Sequence, residues 1–306
     1  MTLDPDDRDA IAALRAQDRA TRRATVPALE EVLYTPFLVL DHGFVRVVDY
    51  MGDDAAVVQA ARVSYGSGTK SVRSDAGLIR YLMRHRHSTP FEMCEIKLHV
   101  KLPIFVARQW IRHRTANVNE YSARYSILDR EFYVPPVDAV AEQSASNRQG
   151  RGEALAPDAA QAARARMRDA AQDAFDLYDH LLGGEAADVP TVARELARAV
   201  LPLSTYTQWY WKIDLHNLLH FVALRADPHA QAEIRAYAAV LLDLVERWVP
   251  VTAAAFRDYR LEGASLSRGQ LEVIRRRLRG ETVSAEEVGL SAREWRELAT
   301  ILDEER

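Results

Sequence analysis

Residues 96–102 read Ile96-Lys97-Leu98-His99-Val100-Lys101-Leu102, so apolar and polar side chains alternate along the whole stretch. A period of two places successive side chains on opposite faces of a strand, and only one face of this strand is apolar. Pro103 follows, and proline suits the first turn of a helix, here predicted over 104–112. The stretch therefore predicts a half-buried strand that leads directly into a helix.

Strands and helices alternate along the rest of the chain. Further strands are predicted at 44–51, 132–134 and 203–213. Helices are predicted at 4–23, 53–66, 74–84, 157–182, 190–200, 215–224 and 229–248, with two weaker patterns in 264–306. Residues 138–156 are small and polar and predict a loop or a disordered segment. This order predicts an α+β or mixed α/β protein with a four-stranded sheet flanked by helices, and we adopt the α+β class.

The composition limits the class of protein. With 306 residues, 48% of them hydrophobic, the chain can bury a substantial core, which excludes a disordered protein. Its single cysteine excludes a disulfide framework. We predict an N-terminal extension over 1–43, a main domain over 44–260 and a C-terminal helical extension over 261–306.

Neither a membrane span nor a glycine-rich dinucleotide turn is expected. The longest run without a charged residue, 199–211, is too short to span a bilayer. The acidic amino terminus does not look like a secretory signal, so we expect a cytoplasmic protein with no membrane partner. Gly66-Ser67-Gly68 follows a predicted helix rather than a strand and is therefore no Rossmann fingerprint.

Positive charge is concentrated in one window of an acidic chain. The net charge is −4, which favours no nucleic-acid partner. Residues 84–130 nevertheless carry nine Lys or Arg against four Asp or Glu. Ser122 and Arg124 lie two apart and offer a hydroxyl and a planar guanidinium to one phosphate. This window is the candidate site for an anionic ligand, although incidental arginines at a solvated helix end remain an equal alternative.

The same window resembles a known signature. Residues 112–125 follow the pattern R-H-R-x-x-S-x-N-x-x-S-x-R-Y of the flavin-dependent thymidylate synthases at seven of its eight fixed positions. Asn117 is the one departure, standing where the pattern has serine. The segments 60–64, 87–92, 101–110 and 215–229 also resemble that family, so the likeness extends over about 44–260.

The resemblance implies an activity, a fold and an assembly. Members of this family, also called the thymidylate synthase-complementing proteins, are methyltransferases that convert dUMP to dTMP. Methylenetetrahydrofolate donates the carbon, and NADPH reduces a bound FAD. Their sheet is mainly antiparallel, and they are homotetramers with active sites shared between subunits.

The resemblance also implies which residues form the site. The residues expected to bind dUMP are Gln109, Arg112, Glu120, Ser122, Ala123, Arg124, Arg198 and Arg225. Those expected to bind FAD are Ser64, Thr89, Arg112, His113, Arg114, Glu120, Asp214, His216 and His220. Arg225 has the catalytic role: a guanidinium cannot act as a base at neutral pH, but it can stabilise a developing pyrimidine anion.

Some assignments stay open from sequence alone. Asp214, His216 and His220 depart from the usual family residues, and although the two histidines are spaced like a metal pair, no third ligand follows. His87 suits either cofactor docking or the orientation of the turn after it. Cys94, between Glu92 and Glu95, is not expected to be a nucleophile if those carboxylates raise its pKa.

Three alternatives compete with this hypothesis. The first is a nucleotide- or nucleic-acid-binding protein without catalysis, the second a flavoprotein of another activity, and the third a degenerate structural relative. Three arginines argue against a flavoprotein of another activity, because the resemblance assigns them to the substrate's phosphate and pyrimidine rather than to the flavin. They are Arg124, Arg198 and Arg225.

Overall fold

The computed structural model describes residues 5–18, 20–63, 72–145, 150–183 and 191–302. Its strands are β1 Phe37–Val39, β2 Gly43–Met51, β3 Glu95–Pro103, β4 Asn117–Glu120, β5 Ala141–Gln143, β6 Arg151–Ala154 and β7 Tyr206–Asp214. Its helices are α1 Pro5–Arg15, α2 Pro27–Glu30, α3 Asp54–Val63, α4 Val72–Arg84, α5 Thr89–Glu92, α6 Ile104–Trp110, α7 Pro157–Leu181, α8 Arg194–Ala197, α9 Leu215–Arg225, α10 Ala232–Trp248, α11 Pro250–Phe256, α12 Arg268–Leu278 and α13 Ala292–Ile301. None of these helices is both long and apolar enough to cross a bilayer.

One antiparallel sheet organises the main part of the chain. Its strand order is β1-β2-β3-β7-β4, and every neighbouring pair is antiparallel. The alternation predicted along β3 is confirmed, because its even-numbered residues are buried and its odd-numbered ones half-exposed up to Leu102. The predicted α+β class with a mainly antiparallel sheet is therefore confirmed.

The inward face of the two central strands is covered by helices. β3 pairs with β7 so that Val100 lies opposite Trp209 and Leu98 opposite Trp211. The Trp110 ring at the end of α6 lies 5.1 Å from the Trp211 ring and 4.6 Å from Phe221 of α9. Large apolar rings carry most of the burial energy available to a core. This aromatic cluster fixes α6 and α9, which carry candidate site residues, against the sheet.

The prediction of four strands was wrong, because the sheet has five. Residues 132–134 form no strand: Phe132 makes only an isolated bridge to Thr205. Two short strands were missed. β1 has three residues, and all four residues of β4 are exposed at the edge of the sheet, so neither shows the alternation by which strands are recognised.

Two other local predictions need correction. The segment 138–156 contains the antiparallel hairpin of β5 and β6, whose residues are mostly exposed and therefore carry no apolar pattern. In the described part of 190–200, helix is limited to α8 and a 3-10 turn over Arg198–Val200. The other predicted helices are present with altered ends; for example, α10 begins at Ala232 rather than at residue 229.

The chain divides into two compact units, residues 1–253 and 254–306. The second unit contains α12 and α13, as the weak patterns in its sequence predicted. Each helix begins with a capping box, Ser267 with Gln270 and Ser291 with Glu294, which satisfies backbone N–H groups of the first turn. Val273, Val283 and Leu298 form its small core. The three-part division predicted from the sequence stays a prediction.

Candidate active site

The signature segment runs from the end of α6 to β4 and the loop beyond it. Trp110 is fully buried, which anchors the last turn of α6 in the core. The chain then turns, leaving Arg112 and Arg114 exposed and His113 half-buried. Because the anchor immediately precedes them, these three side chains are held at a defined place on the surface.

Three of the predicted dUMP residues form one cluster, which we name the Arg225 group: Gln109, Arg112 and Arg225. Arg225, at the end of α9, donates from Nη2 to the backbone oxygen of Gln109 at 3.5 Å. Burial lowers the pKa of Arg225, and the nearby charge of Arg112 lowers it further. The Nε of Arg225 is buried without a hydrogen-bond partner in the described part of the chain. An unsatisfied buried donor is costly, so this guanidinium is arranged to meet an acceptor.

Other predicted dUMP residues line a separate cavity of about 340 Å³, which we name the Ser122 cavity. Its walls include Glu120, Ser122, Ala123, Arg198 and Thr207. The Thr207 hydroxyl, on β7, donates to Glu120 Oε1 at 2.7 Å and so holds that carboxylate in place.

Arg124 is exposed beside the Ser122 cavity. Its Nε lies 3.6 Å from Glu195 Oε2, and both side chains are more than half-exposed. Exposed ion pairs of this kind contribute little to stability, so Arg124 can exchange this carboxylate for an anionic ligand at small cost. No member of the Arg225 group lines the Ser122 cavity as it is formed by the described residues. The cavity of one chain therefore does not enclose all of the predicted dUMP residues.

Two predicted FAD residues are brought together. The rings of His113 and His220 lie 5.8 Å apart, and His113 also packs edge-on against Phe221. Burial lowers the pKa of His113 to about 4, with help from the charge of Arg225 and from His220. His113 is therefore a neutral imidazole at pH 7, able to donate and accept one hydrogen bond each.

The other predicted FAD residues have no described contact with His113. Thr89 is exposed at the start of α5, a helix that packs against α9. Asp214 caps α9: its Oδ1 accepts from the Asn217 backbone N–H at 2.9 Å and its Oδ2 from the Asn217 side chain at 2.7 Å. His216 is half-buried one turn before His220, and Ser64 lies outside the described residues. His87 is exposed, with its ring 5.9 Å from that of Tyr81.

Sequence reasoning missed Thr207 and Gln231, which contact predicted site residues, and Glu233, which contacts Gln231. Thr207 holds Glu120, as described above. The side-chain amide of Gln109 donates to Gln231 Oε1, and Gln231 Nε2 donates to Glu233 Oε2 at 2.8 Å. Gln231 and Glu233 directly follow the family-like segment 215–229, but no spacing rule connects them to Gln109. Only the packing of α10 against α6 brings them together.

Cys94 is a structural residue. It is fully buried at the start of β3, where its Sγ donates to the Asp53 backbone oxygen at 3.5 Å. Burial raises the pKa of Cys94 to about 12, and the carboxylates of Asp53 and Asp54 add to this shift. The pKa of Cys94 is therefore raised, as the sequence predicted, but the adjacent Glu92 and Glu95 are not among the causes of the shift. Its thiol stays protonated, which is unsuited to a nucleophile.

The fold and the site together define an α+β protein whose candidate ligand site is an arginine-rich surface beside an antiparallel sheet. Residues 46–251 match the family model described as "Thymidylate synthase complementing protein". The chain belongs to this family, as its signature predicted.

Curated relatives match the chain over nearly its whole length. The flavin-dependent thymidylate synthase of Gluconobacter oxydans (strain 621H) is 65% identical, covering 99% of both chains. That of Ruegeria pomeroyi is 62% identical over 95% of this chain and 96% of the relative. Among solved structures, the UMP/dUMP methylase PolB from Streptomyces cacaoi bound with 5-Br UMP is similar with a TM-score of 0.65. It is 36% identical and covers 73% of this chain and 97% of its own.

Proposed function

We propose that the protein is a flavin-dependent thymidylate synthase that methylates dUMP reductively to dTMP. Methylenetetrahydrofolate is the carbon donor and NADPH the reductant of bound FAD. The observation that carries the proposal is the half-buried Arg225 guanidinium, whose Nε lacks a partner within the described residues. It lies near Arg112 of the family signature, in a chain whose relatives at 56–65% identity bear this enzyme's name.

The chain's residues divide the binding of dUMP between them. Ser122 and Arg124 are assigned to the phosphate, because a hydroxyl and a guanidinium match its oxygens. Arg198 and Ala123 also line this subsite. Glu120, held by Thr207, is suited to accept from a sugar hydroxyl.

Arg225 acts on the pyrimidine by electrostatics. Its charge favours the form of the uracil ring that has lost the N3 proton, and it stabilises the enolate-like charge that makes the ring carbon nucleophilic. The effect is large because burial reduces the screening that water would provide. Gln109 and Arg112 hold the nucleotide beside this guanidinium.

The donor set beside the Arg225 group fits FAD. Arg112 and Arg114 present exposed guanidinium groups suited to a pyrophosphate, and His113 is neutral because its pKa is lowered to about 4. His220 and His216, on α9, extend the same surface, with Thr89 on the neighbouring α5. When bound, FAD supplies the hydride chemistry.

We further propose a homotetramer in which two subunits complete each site. The division of the predicted dUMP residues between the Arg225 group and the Ser122 cavity supports this assembly. Large apolar side chains near the cavity are strongly exposed in the single chain: Tyr125 to 76%, Leu203 to 66% and Leu196 to 64%. These side chains are suited to burial against another protein, which adds support to the proposed assembly. We place the enzyme in the cytoplasm, with neither nucleic acid nor membrane as partner.

The test begins with the absorption spectrum of the purified protein. We expect a flavin spectrum, and dTMP formation when dUMP, NADPH and methylenetetrahydrofolate are added anaerobically. Parallel reactions with UMP in place of dUMP test whether this protein also methylates the ribonucleotide. PolB is named as a methylase of both UMP and dUMP. A colourless protein that binds DNA with steep salt dependence would support the non-catalytic alternative instead. Flavin without dTMP would indicate a flavoprotein of another activity.

Replacing Cys94 by alanine should leave this activity within about twofold, because the thiol is buried and protonated and donates to the Asp53 backbone oxygen. The small cavity left behind should lower the Tm by about 2–4 °C. Steady-state turnover and a thermal melt check both expectations. A folded Cys94→Ala variant without activity would contradict the flavin mechanism proposed here.

A further inference from the structure

Glu233 is a buried acid without a role in the function proposed above. Its side chain is only 2% exposed, at the start of α10, and its Oε1 accepts from Arg151 and from the Tyr133 hydroxyl. Burial raises the pKa of Glu233, but hydrogen bonds from Arg151, from Gln231 and from its own backbone outweigh this and leave the pKa below its usual value. Glu233 is therefore a carboxylate at neutral pH.

An ionised carboxylate fixes the direction of the hydrogen bonds that lead away from it. A carboxylate only accepts, so Gln231 must turn its NH₂ group toward Glu233, as it does at 2.8 Å. The Gln231 carbonyl oxygen then points toward Gln109 and accepts a hydrogen bond from the Gln109 NH₂ group. The Gln109 carbonyl oxygen is thereby left to accept from another partner.

We propose that Glu233 is a positioning residue for nucleotide binding. Acting through Gln231, it sets the orientation of the Gln109 amide, so that an acceptor rather than a donor is presented to the pyrimidine nucleotide. The partner chemistry is a sugar hydroxyl of dUMP, because the one ring N–H, at N3, is absent from the anionic form that Arg225 favours. The inference rests on the proposed function, because it takes Gln109 as a dUMP residue. The carboxylate stands outside the site and acts on it through two amide groups.

The sharpest test is the isosteric change Glu233→Gln. Its Oε1 can still accept from Tyr133 and Arg151, but its NH₂ group now faces Gln231 and reverses both amides. Gln109 then presents a donor where an acceptor is needed, and we expect the KM for dUMP to rise about tenfold with kcat within about threefold. Steady-state kinetics at varied dUMP concentration measures KM and kcat separately.

A compensating variant separates positioning from stability. In the double variant Gln231→Glu, Glu233→Gln, the carboxylate lies at position 231, where it accepts from both neighbours and again forces Gln109 to donate its NH₂ group. We expect the KM for dUMP to return to within about threefold of the wild-type value. A purely structural role for Glu233 predicts no such rescue.

Tyr133→Phe is the matched control, because it removes a hydrogen bond to Glu233 without touching the link to Gln231. It should leave the KM for dUMP unchanged even if the Tm falls. Should Glu233→Gln fold poorly, Gln231→Ala breaks the same link and should raise the KM similarly. An unchanged KM in Glu233→Gln, or no rescue in the double variant, would overturn the inference. A wild-type protein that makes no dTMP would instead refute the proposed function.

Discussion

Replacing Arg225 by alanine is expected to lower kcat/KM for dUMP by about 100- to 1,000-fold while the purified protein keeps its flavin. The expected loss is this large because Arg225 is a preorganised charge that stabilises an anion where little water screens it. Removing one preorganised donor to a developing anion typically costs about 100- to 1,000-fold in rate. The flavin is retained because the predicted FAD residues are other side chains, such as Arg114 and His113. Activity is measured by dTMP formation and occupancy by the absorbance of bound flavin.

Two variants make this result specific for Arg225. Arg225→Lys keeps the positive charge but loses the planar guanidinium, so its activity should fall between wild type and the alanine variant. Arg293→Ala removes an arginine whose side chain is 84% exposed in the second unit, and it should leave activity unchanged. Full activity in Arg225→Ala would remove the catalytic role assigned to this residue.

Elements with a buried face could be predicted from the sequence, and elements without one could not. The two central strands β3 and β7 carry alternating apolar residues, because one face of each packs under helices. The edge strand β4 is exposed at all four positions, so its sequence has no such pattern to read. Its pairing with β7 depends on the rest of the sheet rather than on its own residues.

For the site, the sequence identified side chains but not their arrangement. The signature named Arg112, Ser122 and Arg124, and the structure places Arg112 with Arg225 and Ser122 in a separate cavity. Linear spacing carries no information about this arrangement, because Arg225 lies more than a hundred residues away from Arg112 and Ser122 along the chain. Likewise, the contact between Gln109 and Gln231 joins residues 122 positions apart.

If each site is shared between subunits, two inactive variants should restore each other's activity. Arg225→Ala damages the Arg225 group, and Arg124→Ala damages the phosphate-binding side. In tetramers assembled at random from equal amounts of both, a site is intact only when its Arg225 group comes from an Arg124→Ala subunit and its Ser122 cavity comes from an Arg225→Ala subunit. One site in four meets this condition, so we expect about a quarter of wild-type activity. Co-expression with two different tags and purification through both yields the mixed enzyme for assay.

The control pairs Arg225→Ala with Arg112→Ala. Both changes fall in the same group, so no combination of subunits contains an intact copy of it, and activity should stay at the level of the single variants. Recovery in the first pair but not in the second shows that the two groups act in trans. Recovery in neither pair would mean that one chain builds a whole site, in which the Arg225 group and the Ser122 cavity of the same subunit bind one dUMP.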